Sequence, residues 1–275
     1  MTQSTIGKKL TPESLVYDFY IFMKHIYLLP LLISIIVFIF LEVFFYYPKM
    51  IYVIFVLINL TIFFAFWQLT KISNINKQWW NFLILPALMS STIIAYSIFL
   101  NNKILIQSLF IVDVIFLYFY LRCVYYYLIY PQSYELFSIE NISSYGNWLT
   151  FFFMAVTVYG LQSFLNLPVW LLETVMLAII ILIVYQIIWV NKIDFKKGLP
   201  YILICCLILI ELSWSISFLP FNYNIAGLIL AIGYYVLIGL TKDHLLDKLD
   251  QKALKAYLAV GLTSLFLILL TAQWL

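Results

Sequence analysis

Residues 28–71 read LLPLLISIIVFIFLEVFFYYPKMIYVIFVLINLTIFFAFWQLTK, and this stretch decides the fold class. Its only charged residues are Glu42, Lys49 and Lys71. An α-helix needs about 20 mostly apolar residues to cross the hydrocarbon core of a bilayer. Because Tyr47-Pro48-Lys49 interrupts the run near its middle, the stretch predicts two consecutive transmembrane helices joined by a tight turn.

The whole chain shares this composition. It has 275 residues, of which 65% are hydrophobic and 10% charged, and its mean hydropathy is +1.05. Soluble domains are about 45–50% apolar and about 25% charged, and a compact soluble fold of this size could not bury so much apolar surface. The composition therefore excludes soluble enzymes, disordered chains, collagens and disulfide scaffolds, and it predicts a chain whose main solvent is lipid.

Similar apolar runs recur to the end of the chain. They predict an all-α, polytopic bundle of about nine transmembrane helices in a single domain over residues 1–275. The predicted spans lie near 25–47, 50–70, 79–100, 103–129, 146–166, 168–190, 198–218, 221–241 and 255–274. Two amphipathic helices are predicted at the membrane surface, an interfacial one over 12–24 and a cytoplasmic one over 242–254.

The lysines predict the orientation of the bundle. If the N-terminus is inside, the inside segments carry twelve lysines, whereas the outside segments carry only Lys49 and Lys103. Cytoplasmic loops of membrane proteins carry an excess of basic residues. The distribution therefore predicts an N-terminus inside and a C-terminus outside.

Four acids and one base fall inside the predicted spans. At about 1.5 Å rise per residue, Asp113 and Glu211 lie near the midplane, whereas Glu42 and Glu173 lie about 9 Å toward the outer face. Arg122 lies about 10 Å toward the inner face by the same estimate, where it is predicted to contact lipid head groups. Four acids cannot all pair with one base, so some must be neutral, bind a cation or face water.

Two interpretations of the acids remain open. In the first, Asp113, Glu211, Glu173 and Glu42 line one polar site for a proton, a cation or a polar head group. In the second, Glu42 and Glu173 reach the outer interface, while Asp113 and Glu211 are neutral and hydrogen-bonded to neighbouring helices. Convergence of the four acids on one cavity favours the first interpretation, and scatter favours a structural role.

Motifs of known enzyme classes are not found. The two histidines, His25 and His244, are isolated, and no Gly-rich phosphate loop occurs. Asp243, Asp247 and Asp250 have the spacing of one helix face, which could hold Mg²⁺ but is more typical of a solvated surface. We therefore predict no catalytic residues, no metal site and no cofactor. With a net charge of +3 and dispersed lysines, nucleic acid is not an expected partner.

One stretch resembles a known family. It runs Glu211-Leu212-Ser213-Trp214-Ser215-Ile216-Ser217-Phe218-Leu219-Pro220 and continues with Gly233-Tyr234-Tyr235 and Gly239-Leu240. The pattern is similar to one in uncharacterised multispanning bacterial inner-membrane proteins. The resemblance implies a multi-pass protein of the inner (plasma) membrane, adds no activity, and places Glu211 inside the recognisable element.

Three functions remain open at this point. The first is a transport or membrane-complex subunit with an acidic polar site near the bilayer midplane, which would move a small molecule or ion of unknown identity. The second is a membrane enzyme that acts on a lipid-linked substrate at the outer leaflet, with Glu42 or Glu173 as general base. The third is a structural assembly scaffold. The expected partners are the lipid bilayer and other membrane subunits.

Overall fold

The computed structural model describes residues 12–73, 80–130, 132, 134 and 138–271, and in the first helix it describes side chains from Leu28 onward. This described part contains nine α-helices, each long and apolar enough to cross a membrane. They are α1 (Pro12–Tyr46), α2 (Ile51–Ser73), α3 (Trp80–Ser97), α4 (Lys103–Ile129), α5 (Ser138–Leu165), α6 (Val169–Val190), α7 (Phe195–Ser217), α8 (Tyr223–Leu245) and α9 (Gln251–Thr271). The predicted all-α architecture is confirmed for this described part, and its nine helices have the length and composition of a multi-pass membrane protein.

Polar residues in the short connections begin several of these helices. Asn102, Asp194 and Asn222 precede α4, α7 and α8, and each side chain accepts a hydrogen bond from a backbone N–H of the first turn. Such caps satisfy donors that an isolated helix end leaves unpaired. The breaks that separate the apolar runs in the sequence therefore act as helix start signals in the structure.

The N-terminal helix α1 is continuous from Pro12 to Tyr46. The segment predicted as an interfacial helix, 12–24, forms its N-terminal part. Pro30 lies within the helix, and its own carbonyl accepts a hydrogen bond from Ser34 Oγ at 2.8 Å. Because proline has no N–H, the carbonyl that loses its helical donor is that of the residue four positions earlier, and membrane helices tolerate such an interruption.

The prediction of a separate amphipathic helix over 242–254 is wrong. Helix α8 continues to Leu245, and α9 begins at Gln251. Asp247 adopts a left-handed backbone with φ of 55°, which ends α8. The Asp250 carboxylate then accepts a hydrogen bond from Ala253 N at 2.6 Å, so it caps α9. Asp247 and Asp250 thus end one helix and begin the next, and they do not line one face of a single helix.

Helices α3 and α5 form the centre of the bundle. Their spanning segments are 61% and 56% buried, whereas that of α9 is 6% buried. Two apolar clusters surround them, one built mainly from α1 to α4 and the other from α5 to α8. Helix α5 contributes to both clusters, and α9 packs chiefly against α8 at the edge. The interior of the bundle therefore depends on the close packing of α5 with its neighbours.

Helix α8 approaches the backbone of α5 closely at Gly227. A Cβ atom at this position would lie 2.8 Å from the backbone N of Val156 and 3.0 Å from its Cα. Backbone atoms cannot move aside as a flexible side chain can, and close approach at small residues is a common basis of membrane helix packing. Gly227 therefore sets the distance between these two helices.

We expect Gly227→Val to destabilise the protein by about 1–3 kcal/mol, the usual cost of overpacking a close interface. The measurement is the thermal midpoint of the detergent-purified full chain. Gly233→Ala is the matched control, because a Cβ there meets Leu212 Cδ1 at an ordinary 3.4 Å. Equal midpoints for the two variants would contradict this account of the α5–α8 contact.

Candidate functional site

Asp113 is the most deeply buried of the four predicted acids. Its side chain is 1% exposed. One carboxylate oxygen, Oδ1, accepts a hydrogen bond from Ser90 Oγ of α3 at 3.0 Å, and the other, Oδ2, is buried without a hydrogen-bond partner in the described part of the chain. A buried polar atom left unpaired costs about 1–3 kcal/mol. Asp113 is therefore an incompletely satisfied group inside the bundle.

Glu173 belongs to a second polar contact, which joins three helices. Ser213 Oγ of α7 donates to Glu173 Oε1 of α6 at 2.8 Å, and Tyr159 of α5 donates to the Ser213 carbonyl at 3.0 Å. Glu173 Oε2 is buried and unpaired among the described residues. Like Asp113, this acid holds its helices together with one oxygen and leaves the other free.

Glu42 and Glu211 have different surroundings. Gln107 Nε2 of α4 donates to Glu42 Oε2 of α1 at 3.2 Å. Glu211 is exposed on α7, and its side chain makes no hydrogen bond to the residues that the structure describes. The four acids thus occupy four distinct surroundings, and within the described ranges no three His, Cys, Asp or Glu side chains come together in a way that could hold a metal ion.

Arg122 lies between two tyrosines of its own helix. Its Nη1 donates to Tyr118 Oη at 2.9 Å, and the guanidinium lies 5.9 Å and 5.8 Å from the ring centroids of Tyr118 and Tyr126. Cation–π contacts of this kind stabilise a guanidinium in a region of low polarity. Contact of Arg122 with lipid head groups stays a prediction.

A polar cavity of about 70 Å³ lies where α5 and α9 begin and α6 and α8 end. In the predicted orientation this is the inner side of the membrane. Its charged lining residues are Glu140 and Lys242, and its neutral polar lining includes Ser143, Asn147 and Tyr234. A mainly apolar lining with a few charged and hydrogen-bonding groups is the usual composition of a site for small molecules.

A buried hydrogen-bond network forms one wall of the polar cavity. Asn147 Nδ2 donates to Gln186 Oε1 at 2.6 Å, and Gln186 Nε2 donates to Ser143 Oγ at 3.4 Å. The Tyr120 hydroxyl lies beside Ser143 and Gln186 without meeting either in hydrogen-bond geometry. All four side chains are at most 2% exposed, so the hydrogen bonds join α5 and α6 away from solvent, with Tyr120 of α4 beside them.

Six buried polar atoms of the described residues have no hydrogen-bond partner. Two of them are the free oxygens of Asp113 and Glu173. Asn147 Oδ1 and Tyr234 Oη belong to residues that line the polar cavity, Tyr120 Oη lies beside Ser143 and Gln186, and the sixth is Thr150 Oγ1. In a membrane protein such atoms are costly unless water or a ligand meets them. The polar cavity is therefore the strongest candidate binding site.

A second cavity, of about 250 Å³, adjoins the first and shares Glu140 and Val190 with it. Tyr134 lines this side cavity, accepts a hydrogen bond from Ile139 N, and donates to Glu140 Oε2 at 3.1 Å. Burial raises the pKa of Tyr134 to about 12, so its hydroxyl remains a proton donor at neutral pH. The Glu140 carboxylate is thus held in place between the two cavities.

The residues of the polar cavity were not among the predicted site residues, although the sequence carries a signal for them. Glu140, Ser143, Ser144 and Asn147 follow a spacing of three and four residues, which puts them on one face of a helix. Gln186 lies within an apolar span and is 0% exposed. Ionisable side chains alone do not mark these residues as a site, because the buried ones are neutral.

We expect Asn147→Leu and Gln186→Leu each to destabilise the protein by about 1–3 kcal/mol, because each leaves the other amide unpaired. The double variant should cost less than the sum of the two, since no orphaned partner remains. The free energy of unfolding in mixed micelles measures this coupling. Thr263→Val, which removes a hydroxyl bonded only within α9, is the control. Strictly additive effects would contradict a direct Asn147–Gln186 bond.

The comparisons with known proteins identify the family of the chain but no relative of known function. None of the curated proteins and none of the solved structures compared with the chain matches it. One family model, described as protein of unknown function (DUF5656), matches residues 49–271. The match contains the stretch from Glu211 to Leu240, and it confirms the predicted membership of an uncharacterised family. With most of its length covered by that model, this multi-pass membrane chain belongs to the DUF5656 family.

Proposed function

We propose that the protein binds a small polar molecule or polar head group in the polar cavity, and that it does so as a transport or membrane-complex subunit. The observation that carries the proposal is the pair of unpaired buried atoms at the cavity, Asn147 Oδ1 and Tyr234 Oη. Asn147 is 1% and Tyr234 3% exposed, so bulk water does not reach them freely. Both residues line the cavity, and a polar ligand that moves their side chains slightly would expose these covered atoms and supply the missing hydrogen bonds.

A membrane makes this argument stronger than it would be in a soluble protein. A polar group in the hydrocarbon region cannot form a hydrogen bond with water instead. Each unsatisfied group therefore costs free energy that packing must offset. Apolar residues at the same positions would pack without this cost. A cavity that retains several such groups therefore has the features expected of a binding site more than those of a structural contact.

Asp113 supports a second site, near the bilayer midplane. Its burial and its unpaired Oδ2 are the features expected of a group that takes up a proton or a cation during helix movement. Glu173, with its unpaired Oε2, is the next candidate for this role, and Glu42 and Glu211 complete the predicted set. Because the acids have separate partners, we propose Asp113 as a single site and not a four-acid cluster.

Two other functions, a membrane enzyme and an assembly scaffold, are also proposed. An enzyme acting on a lipid-linked substrate at the outer leaflet would use Glu42 or Glu173 as general base, and Ser213 beside Glu173 favours the latter. An assembly scaffold is favoured by the separation of the acids, each of which then serves its own helix contact. Neither accounts for the unpaired atoms of the polar cavity.

We also propose that the chain lies in a bacterial inner membrane with its N-terminus inside and its C-terminus outside. In a chain whose own cysteines are replaced, Lys49→Cys should react with an impermeant maleimide on intact cells. Lys196→Cys should react only after permeabilisation, because it lies in the first turn of α7, beside the α6–α7 connection that is predicted on the inner side. The reverse labelling pattern would overturn the orientation, and with it the assignment of the polar cavity to the inner face.

We expect Tyr234→Phe to reduce function without reducing stability. The substitution keeps the ring stacked on Phe151, at 4.3 Å between centroids, and removes only an unpaired hydroxyl. Growth or uptake is measured against a gene deletion, together with the thermal midpoint. Function close to that of the deletion strain with an unchanged or higher midpoint supports the binding cavity. Full function in Tyr234→Phe would contradict it, and Thr263→Val controls for the loss of a hydroxyl elsewhere.

The acid site is tested in the same assay with Asp113→Asn, which keeps an acceptor for Ser90 but cannot exchange a proton. Loss of function at normal protein levels supports the midplane site. If the gene deletion has a phenotype and both Asp113→Asn and Glu211→Gln behave as wild type, the acidic site is wrong and the polar cavity is judged on Tyr234→Phe alone.

A further inference from the structure

We infer that the ligand of the polar cavity is a zwitterion that carries a primary amine and a phosphate or carboxylate. This inference rests on the proposed binding function and specifies its chemistry. The cavity is lined by one acidic and one basic side chain, Glu140 and Lys242. A ligand with both charges is the one that neither leaves a wall charge unpaired nor adds an uncompensated charge of its own.

Glu140 and Lys242 do not form a salt bridge with each other. Glu140 has Tyr134 as its hydrogen-bond partner, and no ion pair within 4.0 Å joins it to Lys242. Both side chains are half-buried. Opposite charges that line one cavity without closing into a salt bridge leave room for a ligand whose two ends meet them separately.

The acidic side of the cavity is built for an amine. Tyr134 holds Glu140 Oε2, and this leaves Oε1 available to a donor on the ligand. Asn147 lines the same cavity about two helical turns further along α5, so it lies beyond the reach of a group bound at Glu140. A primary ammonium donates strong, charge-assisted hydrogen bonds to a carboxylate such as Glu140.

The basic side of the cavity is built for an anion. Lys242 supplies an ammonium, and the unpaired Tyr234 hydroxyl supplies a neutral donor. The neighbouring acid, Asp243, is occupied by the Tyr257 hydroxyl at 3.0 Å, which leaves Lys242 to the cavity. A phosphate or carboxylate accepts hydrogen bonds from both kinds of donor.

Such a zwitterion has two sources, and the position of the cavity is compatible with both. An ethanolamine-phosphate group is the head group of phosphatidylethanolamine, and it also occurs as the free compound. The cavity lies at the ends of four helices, which in the predicted topology is near the lipid head groups, and it adjoins the larger side cavity through Glu140. The experiment therefore uses one lipid arm and one soluble arm.

The test measures binding to the purified full-length chain. In the soluble arm, O-phosphoethanolamine is compared with glycerol 3-phosphate, which lacks the amine, by calorimetry. In the lipid arm, phosphatidylethanolamine is compared with phosphatidylglycerol on the delipidated protein by native mass spectrometry. We expect the amine-bearing probe to bind about tenfold more tightly in at least one arm, because charge-assisted hydrogen bonds are the strong ones. The arm that shows this preference identifies the source.

The variants assign each end of the ligand. Glu140→Gln should weaken the amine-bearing probe about tenfold and remove its advantage over the anionic probe. Lys242→Gln should weaken both probes. Asp247→Asn and Lys252→Gln remove matched charges outside the cavity, and they should leave both affinities unchanged. Thermal midpoints equal to that of the wild type show that the variants fold.

Several results would overturn the inference. These are an anionic probe that binds as tightly as the zwitterion in both arms, an amine preference that survives Glu140→Gln, or no binding of any of the four probes. The proposed function fails on a different result, which is full function in Tyr234→Phe. A loss of function in that variant without zwitterion binding would leave a polar binding cavity with another ligand.

Discussion

The structure depends on one constraint, which is that a polar group within a bilayer must find its partner inside the protein. Lipid offers no hydrogen bonds, and water reaches only cavities and interfaces. In most of this bundle the constraint is met locally, since hydroxyls bond to carbonyls one turn away, as Thr70 does with Phe66. Between helices it is met by a small number of side-chain pairs, and these pairs determine how the helices face one another.

Helix α3 shows how such pairs organise the bundle. Ser90 connects it to Asp113 of α4, Asn81 accepts a hydrogen bond from Tyr185 of α6, and Tyr96 donates to Asn224 of α8. These contacts lie at different heights along one helix and join both halves of the chain. Apolar packing alone does not distinguish one rotation of a helix from another in lipid, so polar pairs of this kind make the arrangement specific.

Much of the fold could be predicted from the sequence because length and hydropathy are local properties. The runs around Tyr47-Pro48-Lys49 and Asn101-Asn102-Lys103 predict spans whose bounds agree closely with the helices. The segment 242–254 could not be predicted in the same way. Its residue spacing is that of an amphipathic helix, but a left-handed Asp247 and a capping Asp250 divide it between two helices. The partners of Asp113 and Glu173 depend on helix rotation, which no local pattern contains. The polar cavity combines residues from four helices, and its central amides carry no charge to mark them.

The shallow burial of α9 bears on how the polar cavity can communicate with its surroundings. Tyr257 of α9 lines the cavity, it fits against Gly239 of α8, and its hydroxyl bonds to Asp243. Only 6% of the spanning segment of α9 is buried, so most of its surface faces away from the protein interior. Displacing α9 sideways therefore uncovers little of the protein interior. Of the four helices that line the cavity, α9 is the one that can shift with the smallest loss of buried surface.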